Sequence, residues 1–446
     1  MASEQYPLRR SGIYRNLPTF DPSIQGLTAI VVGATGISGF NTIRCLLDSP
    51  SRWKNIYALS RSPLSKEMLS LLSPEQQSRI HHISVDLTQS AEKTSSSLKQ
   101  AVVSSVDYVF FYGYVHPHGK NAMDPGMEDA LVETNVPIFE KFLTALDQAN
   151  LIPKRILLQT GGKHYGGHIG RAQRPYVESD PPPKHLSRNF YYPQEEALFR
   201  FCKQHPGTGW NVIRPFGVIG ATSNASMNFL LPFAFFAAVQ AAKGEPLYFA
   251  GDVDEWQYEH CHSSARLTGY LAEWAVLEEK CANQAFNAQD GCPVSWNRLL
   301  PEIARWYNVP GDVVGPEVNE SKYRKIDFAG GKDCPLGFGR PTGIRLARTT
   351  FAKWSRDTSN QEAWECIMRE SQGKITLNPF EDPNRELLSQ GDFAYYMIGQ
   401  PSISKVRRFG FNGFVDTVES LFEMYQEMAH MGIVDAPKVE AANPLV

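Results

Sequence analysis

The sequence predicts an α/β protein in which a doubly wound parallel sheet is capped by a smaller, mostly helical C-terminal lobe. Three observations support this fold class. A glycine-rich turn follows a buried strand and precedes a helix, strands and helical segments then alternate as far as residue 214, and helices separated by irregular segments follow Pro215. We therefore divide the chain into an N-terminal arm lying on the surface (1–25), a sheet domain (26–220) and a cap region (221–446).

The glycine-rich turn has the spacing G-x-x-G-x-x-G and contains Gly33, Gly36 and Gly39. A short β-branched run (28–32) precedes it, and apolar residues at helical spacing (about 37–48) follow it. Glycines at such positions permit a tight turn, close approach of a pyrophosphate and close helix–strand packing. The sequence therefore predicts a Rossmann-type dinucleotide site at Gly33, Thr35, Gly36 and Ile37, with a glycine turn that binds nothing as the alternative.

The remaining strands are expected to be short, apolar and parallel. Further strands are predicted at 55–60, 82–85, 108–111, 155–159 and 210–214. Helices are predicted near 63–79, 126–149, 193–204, 228–242, 263–279, 296–307 and 413–430. Strands that alternate with helices favour a sheet covered on both faces.

The residues after the second predicted strand bear on the choice of cofactor. An NAD site usually has a carboxylate there for the ribose 2′-hydroxyl, but this chain has Ser60, Arg61 and Ser62. A guanidinium and two hydroxyls suit a 2′-phosphate, so NADP(H) is favoured over NAD(H). The alternative is that Arg61 is a solvated surface residue. Asp86 and Leu87 are placed to contact the adenine, although Asp86 could equally cap a turn.

The usual tyrosine–lysine pair of short-chain dehydrogenases, four residues apart on one helix face, is missing, because Glu195 and Glu196 follow Tyr191 and Tyr192 at that spacing. Two other stretches offer these side chains. Thr160-Gly161-Gly162-Lys163-His164-Tyr165 follows one strand, and Asn189-Phe190-Tyr191-Tyr192-Pro193-Gln194-Glu195-Glu196 opens the next helix. Both flank the strand end where a nicotinamide is expected to lie.

These two stretches resemble the signatures T-G-x-K-H-Y and N-F-Y-Y-x-x-E-[DE] of the progesterone 5β-reductase/iridoid synthase-like (PRISE) family of extended short-chain dehydrogenases. The resemblance continues through Arg214-Pro215, Asn228, 283–288, Trp296, Asp392-Phe393 and Phe409-Gly410-Phe411. It implies that Lys163 and Tyr191 are catalytic and contact NADPH. It also implies hydride addition to the β-carbon of an α,β-unsaturated carbonyl, with the Tyr191 hydroxyl stabilising the enolate oxygen.

The sequence departs from the family pattern in three places. His168 stands where the family has a proline, the segment 110–114 differs from the plant members, and the stretch near 317–385 is longer. That insertion could be a lid, an oligomer contact or a surface insertion, and long irregular segments favour the last.

Aromatic side chains near these strand ends suit a bulky apolar organic substrate such as a terpenoid, steroid or polyketide-derived enone. The predicted pocket residues are Tyr112, Tyr114, His164, Tyr165, Tyr192, Phe216 and Met227, with Phe111, Phe190, Phe229, Phe233 and Phe236 as further candidates. His164 is expected to hold its loop by hydrogen bonds.

Composition argues against several other classes of protein. Lys plus Arg (44) nearly balances Asp plus Glu (47), so neither nucleic acid nor a membrane surface is an expected partner. The most apolar run, about 229–242, is too short and interrupted to span a bilayer. The seven scattered cysteines and the absence of a signal core predict a cytoplasmic protein. No zinc-type ligand set is found, so no metal is expected. A homodimer is compatible with the sequence.

Three alternatives to an NADPH-dependent enone reductase stay open. They are a 1,2-carbonyl reductase, a non-redox cyclase or isomerase that keeps the cofactor site as a scaffold, and a cofactor-sensing binding protein. The presence of both Lys163 and Tyr191 argues against the last of these.

Overall fold

The structure is a computed structural model, and it describes residues 7–101, 103, 105–116, 126–223, 227–327, 336–339, 343–397 and 399–445. Parts of the predicted arm (1–6) and of the predicted insertion (328–335 and 340–342) lie outside the described residues. Within the described part, every helix is too short or too polar to cross a bilayer.

Thirteen strands are described. They are β1 (Arg9–Ser11), β2 (Tyr14–Leu17), β3 (Leu27–Val32), β4 (Trp53–Ser60), β5 (Ile80–Ser84), β6 (Tyr108–Phe111), β7 (Arg155–Gln159), β8 (Gly209–Arg214), β9 (Val218–Ile219), β10 (Ser263–Ser264), β11 (Gln284–Asn287), β12 (Arg324–Asp327) and β13 (Gly343–Leu346).

Fifteen α-helices are described. They are α1 (Ile37–Leu47), α2 (Lys66–Leu69), α3 (Pro74–Ser78), α4 (Ala91–Gln100), α5 (Glu128–Ala149), α6 (Tyr191–Gln204), α7 (Leu231–Lys243), α8 (Val253–Gln257), α9 (Ala265–Leu277), α10 (Trp296–Trp306), α11 (Phe351–Trp354), α12 (Thr358–Glu370), α13 (Arg385–Ser389), α14 (Ser404–Phe409) and α15 (Thr417–His430).

The central sheet is parallel and has the order β11-β8-β7-β6-β3-β4-β5. The chain leaves the central strand β3 first toward β4 and β5, and then returns to its other side at β6. The carboxyl ends of β3 and β6 therefore form the topological switch point, where ligands of open α/β sheets bind. This confirms the predicted α/β, doubly wound, Rossmann-type fold class.

Alternate residues of β3 enter two different cores, as expected for a strand covered on both faces. Ala29 and Val31 pack with α1 and α9, whereas Ile30 and Val32 pack with α4, α5 and α6. The continuous apolar run of β3 therefore reflects burial on both faces.

A seventh strand, β11, was missed by the sequence analysis, and it comes from the segment assigned to the cap region. Gln284–Asn287 pairs in parallel with β8 at the edge of the sheet. Its four residues include one large apolar side chain, Phe286, so its sequence carries little strand signal. The sheet thus draws on residues beyond the boundary predicted at 220.

The N-terminal segment differs from the surface arm that was expected. β1 and β2 form an antiparallel hairpin, and Tyr14, Leu17 and Phe20 are buried in the core beneath α1. The prolines and polar residues of this segment favoured an exposed arm, whereas the hairpin and the residues after it bury three apolar side chains.

The segment 317–385 is not a surface insertion throughout. Trp354 and Trp364 are buried and contact the rings of Phe236 and Phe235 on α7. Phe380 is also buried, against Trp354. These aromatic residues anchor α11 and α12 to α7, because each buries a large apolar area that would otherwise face water.

Candidate functional site

The glycine turn forms the floor of the site at the switch point. Gly33 has a φ of +78°, and a Cβ there would lie 2.8 Å from the carbonyl oxygen of Tyr112, which directly follows β6. A Cβ on Gly39 would overlap the Gly33 carbonyl oxygen. Both positions therefore require glycine for protein packing alone.

Gly36 differs, because the protein leaves room for a Cβ there. Its backbone is extended, and the nearest atom to a Cβ would be 3.4 Å away. A glycine at this position leaves the N-terminus of the eleven-residue helix α1 open, with no side chain capping it. The Gly36 N–H donates to the Gly33 carbonyl at 3.0 Å, whereas the first N–H groups of the helix itself, from Ile37 onward, are available to an anionic group such as a pyrophosphate. The carbonyl of Thr35 accepts a hydrogen bond of 2.7 Å from the Thr222 hydroxyl.

The predicted 2′-phosphate residues lie together at the end of β4. Ser60 donates a hydrogen bond to the carbonyl of Ser62 at 2.7 Å, and Ser84 donates to the carbonyl of Arg61 at 3.1 Å. Arg61 and Ser62 are exposed, so the guanidinium is accessible to a ligand.

Asp86 serves as the turn cap that was left open as an alternative. It accepts hydrogen bonds from the Thr88 hydroxyl at 2.7 Å and the Thr88 N–H at 3.0 Å. These bonds, more than the nearby charge of Arg61, hold the pKa of Asp86 below its usual range. Leu87 lies beside Gly113, with its Cδ1 3.2 Å from a Cβ that Gly113 would carry.

A cavity of about 270 Å³ lies beside the glycine turn. Its lining includes both catalytic candidates, Lys163 and Tyr191, and four of the predicted pocket residues, Tyr112, Tyr114, Phe216 and Met227. Phe190 and Phe229 also line it.

The cavity adjoins the predicted cofactor site. Tyr112 forms part of its wall, and the Tyr112 hydroxyl accepts a hydrogen bond of 2.8 Å from Thr42 on α1. Gln159, also on the wall, donates to the Ser38 hydroxyl at 2.8 Å. A ligand in the cavity and a dinucleotide on α1 would therefore share one set of residues.

Asn189 connects the two elements that carry the catalytic candidates. Its side-chain amide donates a hydrogen bond of 3.1 Å to the Lys163 carbonyl, and its oxygen accepts one of 3.0 Å from the Tyr191 N–H. One buried side chain thus fixes the turn after β7 and the first residue of α6 relative to each other. The sequence motif contained Asn189 but did not indicate this role.

Gly161 and Gly162 give the cavity space beside these groups. A Cβ on Gly161 would lie 3.0 Å from the Tyr191 hydroxyl, and one on Gly162 would lie 2.5 Å from the Phe216 ring. Any larger residue would crowd the hydroxyl or displace the ring, so these two positions keep the wall open.

Burial shifts the pKa values of both catalytic candidates, Lys163 and Tyr191. It lowers the pKa of Lys163 to about 8, opposed weakly by the charge of Glu128. It raises the pKa of Tyr191 above its usual range. Near neutral pH the phenol therefore keeps its proton and the lysine is mostly charged.

Three predicted pocket residues occupy a different place. His164, Tyr165 and Tyr192 are buried behind the cavity and do not line it. The Tyr192 hydroxyl donates to the His164 carbonyl at 3.0 Å, and the Tyr165 hydroxyl donates to Asn287 at 2.6 Å. They were expected in the wall because they adjoin Lys163 and Tyr191 in sequence, but consecutive side chains of a helical turn point in different directions.

A buried ion pair supports this layer. Glu195 lies 3.3 Å from both Arg214 and the ring of His164. Burial opposes its charge, but the His164 hydrogen bond and the Arg214 charge hold the pKa of Glu195 below its usual range. Burial also lowers the pKa of His164. The role expected for His164, holding its loop, agrees with these contacts.

Other aromatic candidates belong to the core. Phe233 packs on Trp296, Phe236 on Tyr248, and Phe111 on Phe139.

Part of the cavity wall was not predicted from the sequence. The cavity is also lined by His168, Tyr258, His260, Cys261, His262, Phe393 and Tyr396. Residues 258–262 lead into β10, which pairs with β9 in a separate two-stranded sheet, and no sequence motif signalled this pairing.

Comparison with known proteins identifies the family. The model of the PRISE-like Rossmann-fold domain matches residues 29–322, more than half of the chain. The chain belongs to this family.

Relatives of this PRISE-like chain come from fungi and plants. The short chain dehydrogenase gsfE of Penicillium aethiopicum is 26% identical over 414 residues, which are 91% of this chain and 99% of the relative. The 3-oxo-Delta(4,5)-steroid 5-beta-reductase of Arabidopsis thaliana is 27% identical over 288 residues, which are 63% of this chain and 69% of the relative. The fungal match includes most of the region after residue 220, since it leaves only about a tenth of the chain unmatched.

Solved structures agree with the fold. An epimerase from Methanothermobacter thermautotrophicus superposes on this PRISE-like chain with a TM-score of 0.50 at 17% identity, covering 66% of this chain and 82% of the epimerase. At that identity the likeness concerns the fold alone. Among the described residues, no three side chains of the His, Cys, Asp or Glu type gather where they could hold a metal ion.

Proposed function

We propose that this chain is an NADPH-dependent reductase that adds hydride to the β-carbon of an α,β-unsaturated carbonyl compound. One observation carries the proposal. Lys163 and Tyr191 stand in the wall of one cavity that adjoins the glycine turn, and Asn189 holds both of them.

The cofactor part of the proposal rests on the fit of the residues. Gly36 leaves the N-terminus of α1 open to a pyrophosphate. The exposed Arg61, at the end of β4, offers a charged fork for a 2′-phosphate, where no carboxylate stands to bind a free 2′-hydroxyl. Bound NADPH would supply the hydride.

The protein's own side chains would stabilise the negative charge that develops on the substrate carbonyl oxygen. Because burial keeps the Tyr191 phenol protonated, it can donate a hydrogen bond to the substrate carbonyl oxygen. That bond strengthens as negative charge develops on the oxygen in the enolate. Lys163, mostly protonated near neutral pH, adds a positive charge to the same wall.

The lining supports an apolar substrate of compact shape. Aromatic and aliphatic side chains dominate the wall, and 270 Å³ is close to the lower end of the range of about 300–1,000 Å³ typical of ligand pockets. A ring system with few substituents fits this space. The names of two relatives, a steroid 5-beta-reductase and the (S)-8-oxocitronellyl enol synthase of Antirrhinum majus, are consistent with a carbonyl-bearing terpenoid or steroid.

Tyr191→Phe tests the proposal directly. NADPH oxidation with cyclic enones should fall by about 10²–10³-fold in kcat, the usual cost of one lost oxyanion donor. Tyr192→Phe is the matched control, since it removes the neighbouring phenol, which bonds a backbone carbonyl behind the cavity. It should lose far less. Full activity in Tyr191→Phe would overturn the assignment.

Product analysis separates this reaction from its alternatives. A saturated ketone is expected. An allylic alcohol would instead indicate 1,2-reduction, and conversion of the substrate without NADPH oxidation would indicate a cyclase or isomerase.

A further inference from the structure

A second wall of the cavity carries polar groups to which the proposed reaction assigns no role. Tyr258, His260 and His262 supply it from the segment after α8, and His168 joins them from the loop after β7. They lie on different elements from Tyr191. All four are nevertheless lining residues of the same cavity.

This wall is held in place by backbone hydrogen bonds. His260 and Val294 bond each other through both N–H and carbonyl groups at 3.0 Å. The Asp290 N–H donates to the His262 carbonyl at 2.9 Å. The rings are also packed, since His260 makes edge contacts with Tyr258 and Trp296. Groups fixed before a ligand arrives cost little to order when it binds.

Three of these side chains have a buried polar atom without a hydrogen-bond partner among the described residues. His260 is only 8% exposed, and its Nε2 finds no hydrogen bond among the described residues. The Nδ1 of His168 and the hydroxyl of Tyr258 are likewise buried without one. These atoms are closed off from the cavity space, so a hydrogen bond to a ligand has to come from another polar atom of this wall.

The imidazoles are uncharged near neutral pH. Burial lowers the pKa of His168 and His260 to about 3 and that of His262 to about 4. The charge of Lys163 further opposes protonation of His168. The neutral imidazoles themselves give a carboxylate or phosphate no counter-charge. A neutral oxygen substituent suits them better.

The bond between His262 and Gly217 indicates what kind of oxygen fits. The His262 Nδ1 lies 3.3 Å from the Gly217 carbonyl, which can only accept, so this nitrogen carries the proton. The other ring nitrogen, Nε2, is then an acceptor. An acceptor calls for a donor on the ligand, such as an alcohol or phenol.

We propose that the wall formed by His168, Tyr258, His260 and His262 binds a hydroxyl group of the substrate, with His262 as its acceptor. The substrate is therefore a hydroxylated ring compound with a second, reacting carbonyl, and not a plain hydrocarbon enone or an acid. The inference rests on the proposed function only in taking this cavity as the substrate pocket.

Binding of matched ketones tests this without requiring turnover. The probes are saturated 4-alkylcyclohexanones of increasing chain length, each prepared with a terminal methyl or a terminal hydroxyl. Calorimetry on the protein with excess NADP⁺ gives the affinity ratio of each pair. At one chain length the hydroxyl member should bind about three- to tenfold more tightly, as expected for one hydrogen bond.

Variants assign that preference to the histidine. His262→Phe should abolish it while the methyl members still bind, and His262→Gln, which keeps an acceptor, should retain part of it. Substituting the exposed His185 with Gln should leave it intact. The proposal is overturned if no chain length shows the preference, if it survives His262→Phe, or if neither series binds.

The corresponding enones keep the two proposals distinct. If they oxidise NADPH with no hydroxyl preference, the reductase assignment stands and the hydroxyl site fails. If the ketones show the preference but the enones are not reduced, the hydroxyl site stands and the reductase assignment fails.

Discussion

Burial acts in opposite directions on the two side chains proposed for the reaction. It lowers the pKa of Lys163, which loses its proton more easily, and raises the pKa of Tyr191, which keeps its proton more firmly. The lysine charge is therefore lost as pH rises through about 8, in a range where Tyr191 is still a phenol. The effect of losing the lysine charge can therefore be measured at a pH where the tyrosine is still protonated.

We accordingly expect kcat/KM for NADPH to fall above about pH 8. The free enzyme's ionisations govern this parameter. Lys163→Arg keeps a positive charge to much higher pH, so whatever activity it retains should not show that fall. A wild-type profile that stays flat, or an equal fall in Lys163→Arg, would contradict the role given to this lysine.

Asn189 is expected to affect catalysis more than stability. Asn189→Ala removes both hydrogen bonds that tie Lys163 to Tyr191, and kcat should drop by about 10–100-fold because small misplacements of reacting groups are costly. The free energy of unfolding should fall by only about 1–3 kcal/mol. Steady-state kinetics and urea unfolding measure the two effects.

Asn189→Asp is the matched variant, since it keeps the acceptor for the Tyr191 N–H and loses the donor to the Lys163 carbonyl. Its kcat should lie between those of the wild type and Asn189→Ala. A kcat that is unchanged in Asn189→Ala, despite lower stability, would show that this residue serves only the fold.

Individual residues were predictable where their chemistry is tied to a motif. The motif residues Lys163 and Tyr191 do share a cavity. The neighbouring His164 and Tyr165 face away from it, because sequence adjacency does not fix side-chain direction in a turn. His260 and His262 lie far from any motif, and only tertiary packing brings them to the site.

At the scale of elements, Asp290 joins α9 to α15 behind the site. Its carboxylate accepts from the Ser264 N–H at 2.6 Å and lies 3.1 Å from the Thr417 hydroxyl. That hydroxyl is closer, at 2.7 Å, to the carbonyl of Cys292. With its one proton committed there, it is better suited to accept a proton from Asp290. Burial raises the pKa of Asp290 to about 7.

An acid with a raised pKa binds its proton more tightly in the folded state. Its contribution to stability is therefore complete below its ordinary pKa of 3.8 and is lost as pH rises through about 7. Relative to Asp290→Asn, the wild type should lose at most about 1.4 kcal/mol of unfolding free energy per pH unit in that range.

Urea unfolding of both proteins at several pH values measures this difference. Asp254→Asn, at an exposed position of α8, controls for the general effect of removing a carboxylate. A wild-type-to-variant difference that is constant with pH, or that changes equally in the control, would exclude the proton assigned to Asp290.

Elements with strong periodicity were predictable, and those fixed by long-range pairing were not. The strands β3, β6 and β7 begin and end within a residue or two of their expected bounds, since continuous apolar runs mark strands buried on both faces. By contrast, α4 is polar and largely exposed, and β11 is four residues long. Neither has a local pattern strong enough to predict it.

On the scale of the whole molecule, both ends of the chain converge on α1, the helix at the proposed cofactor site. The Tyr14 hydroxyl donates to Glu423 on α15 at 2.7 Å, and Arg44 on α1 donates to Glu427 at 2.8 Å. The N-terminal hairpin and the last helix thus fix the helix whose N-terminus faces the predicted pyrophosphate. These contacts span about 400 residues, which no local sequence pattern can anticipate.

The division into a sheet domain and a cap, which was predicted from the sequence, likewise describes the structure only in part. The cap's α9 packs on α1, and β11 completes the sheet. The segment around Trp354 and Trp364 closes the core over α7. The prediction of a separate C-terminal lobe came from a change in periodicity, which marks where helices begin but not what they pack against.

The central claim is that hydride reaches the β-carbon of an enone held against Tyr191. NADPH deuterated at the transferable position, incubated with the protein and a cyclic enone, tests this most directly, with the label located in the product by NMR. Deuterium at the β-carbon of a saturated ketone is the predicted result, and with Tyr191→Phe the label should accumulate about 10²–10³-fold more slowly. Deuterium on a carbinol carbon, or a product that carries no label, would contradict the claim.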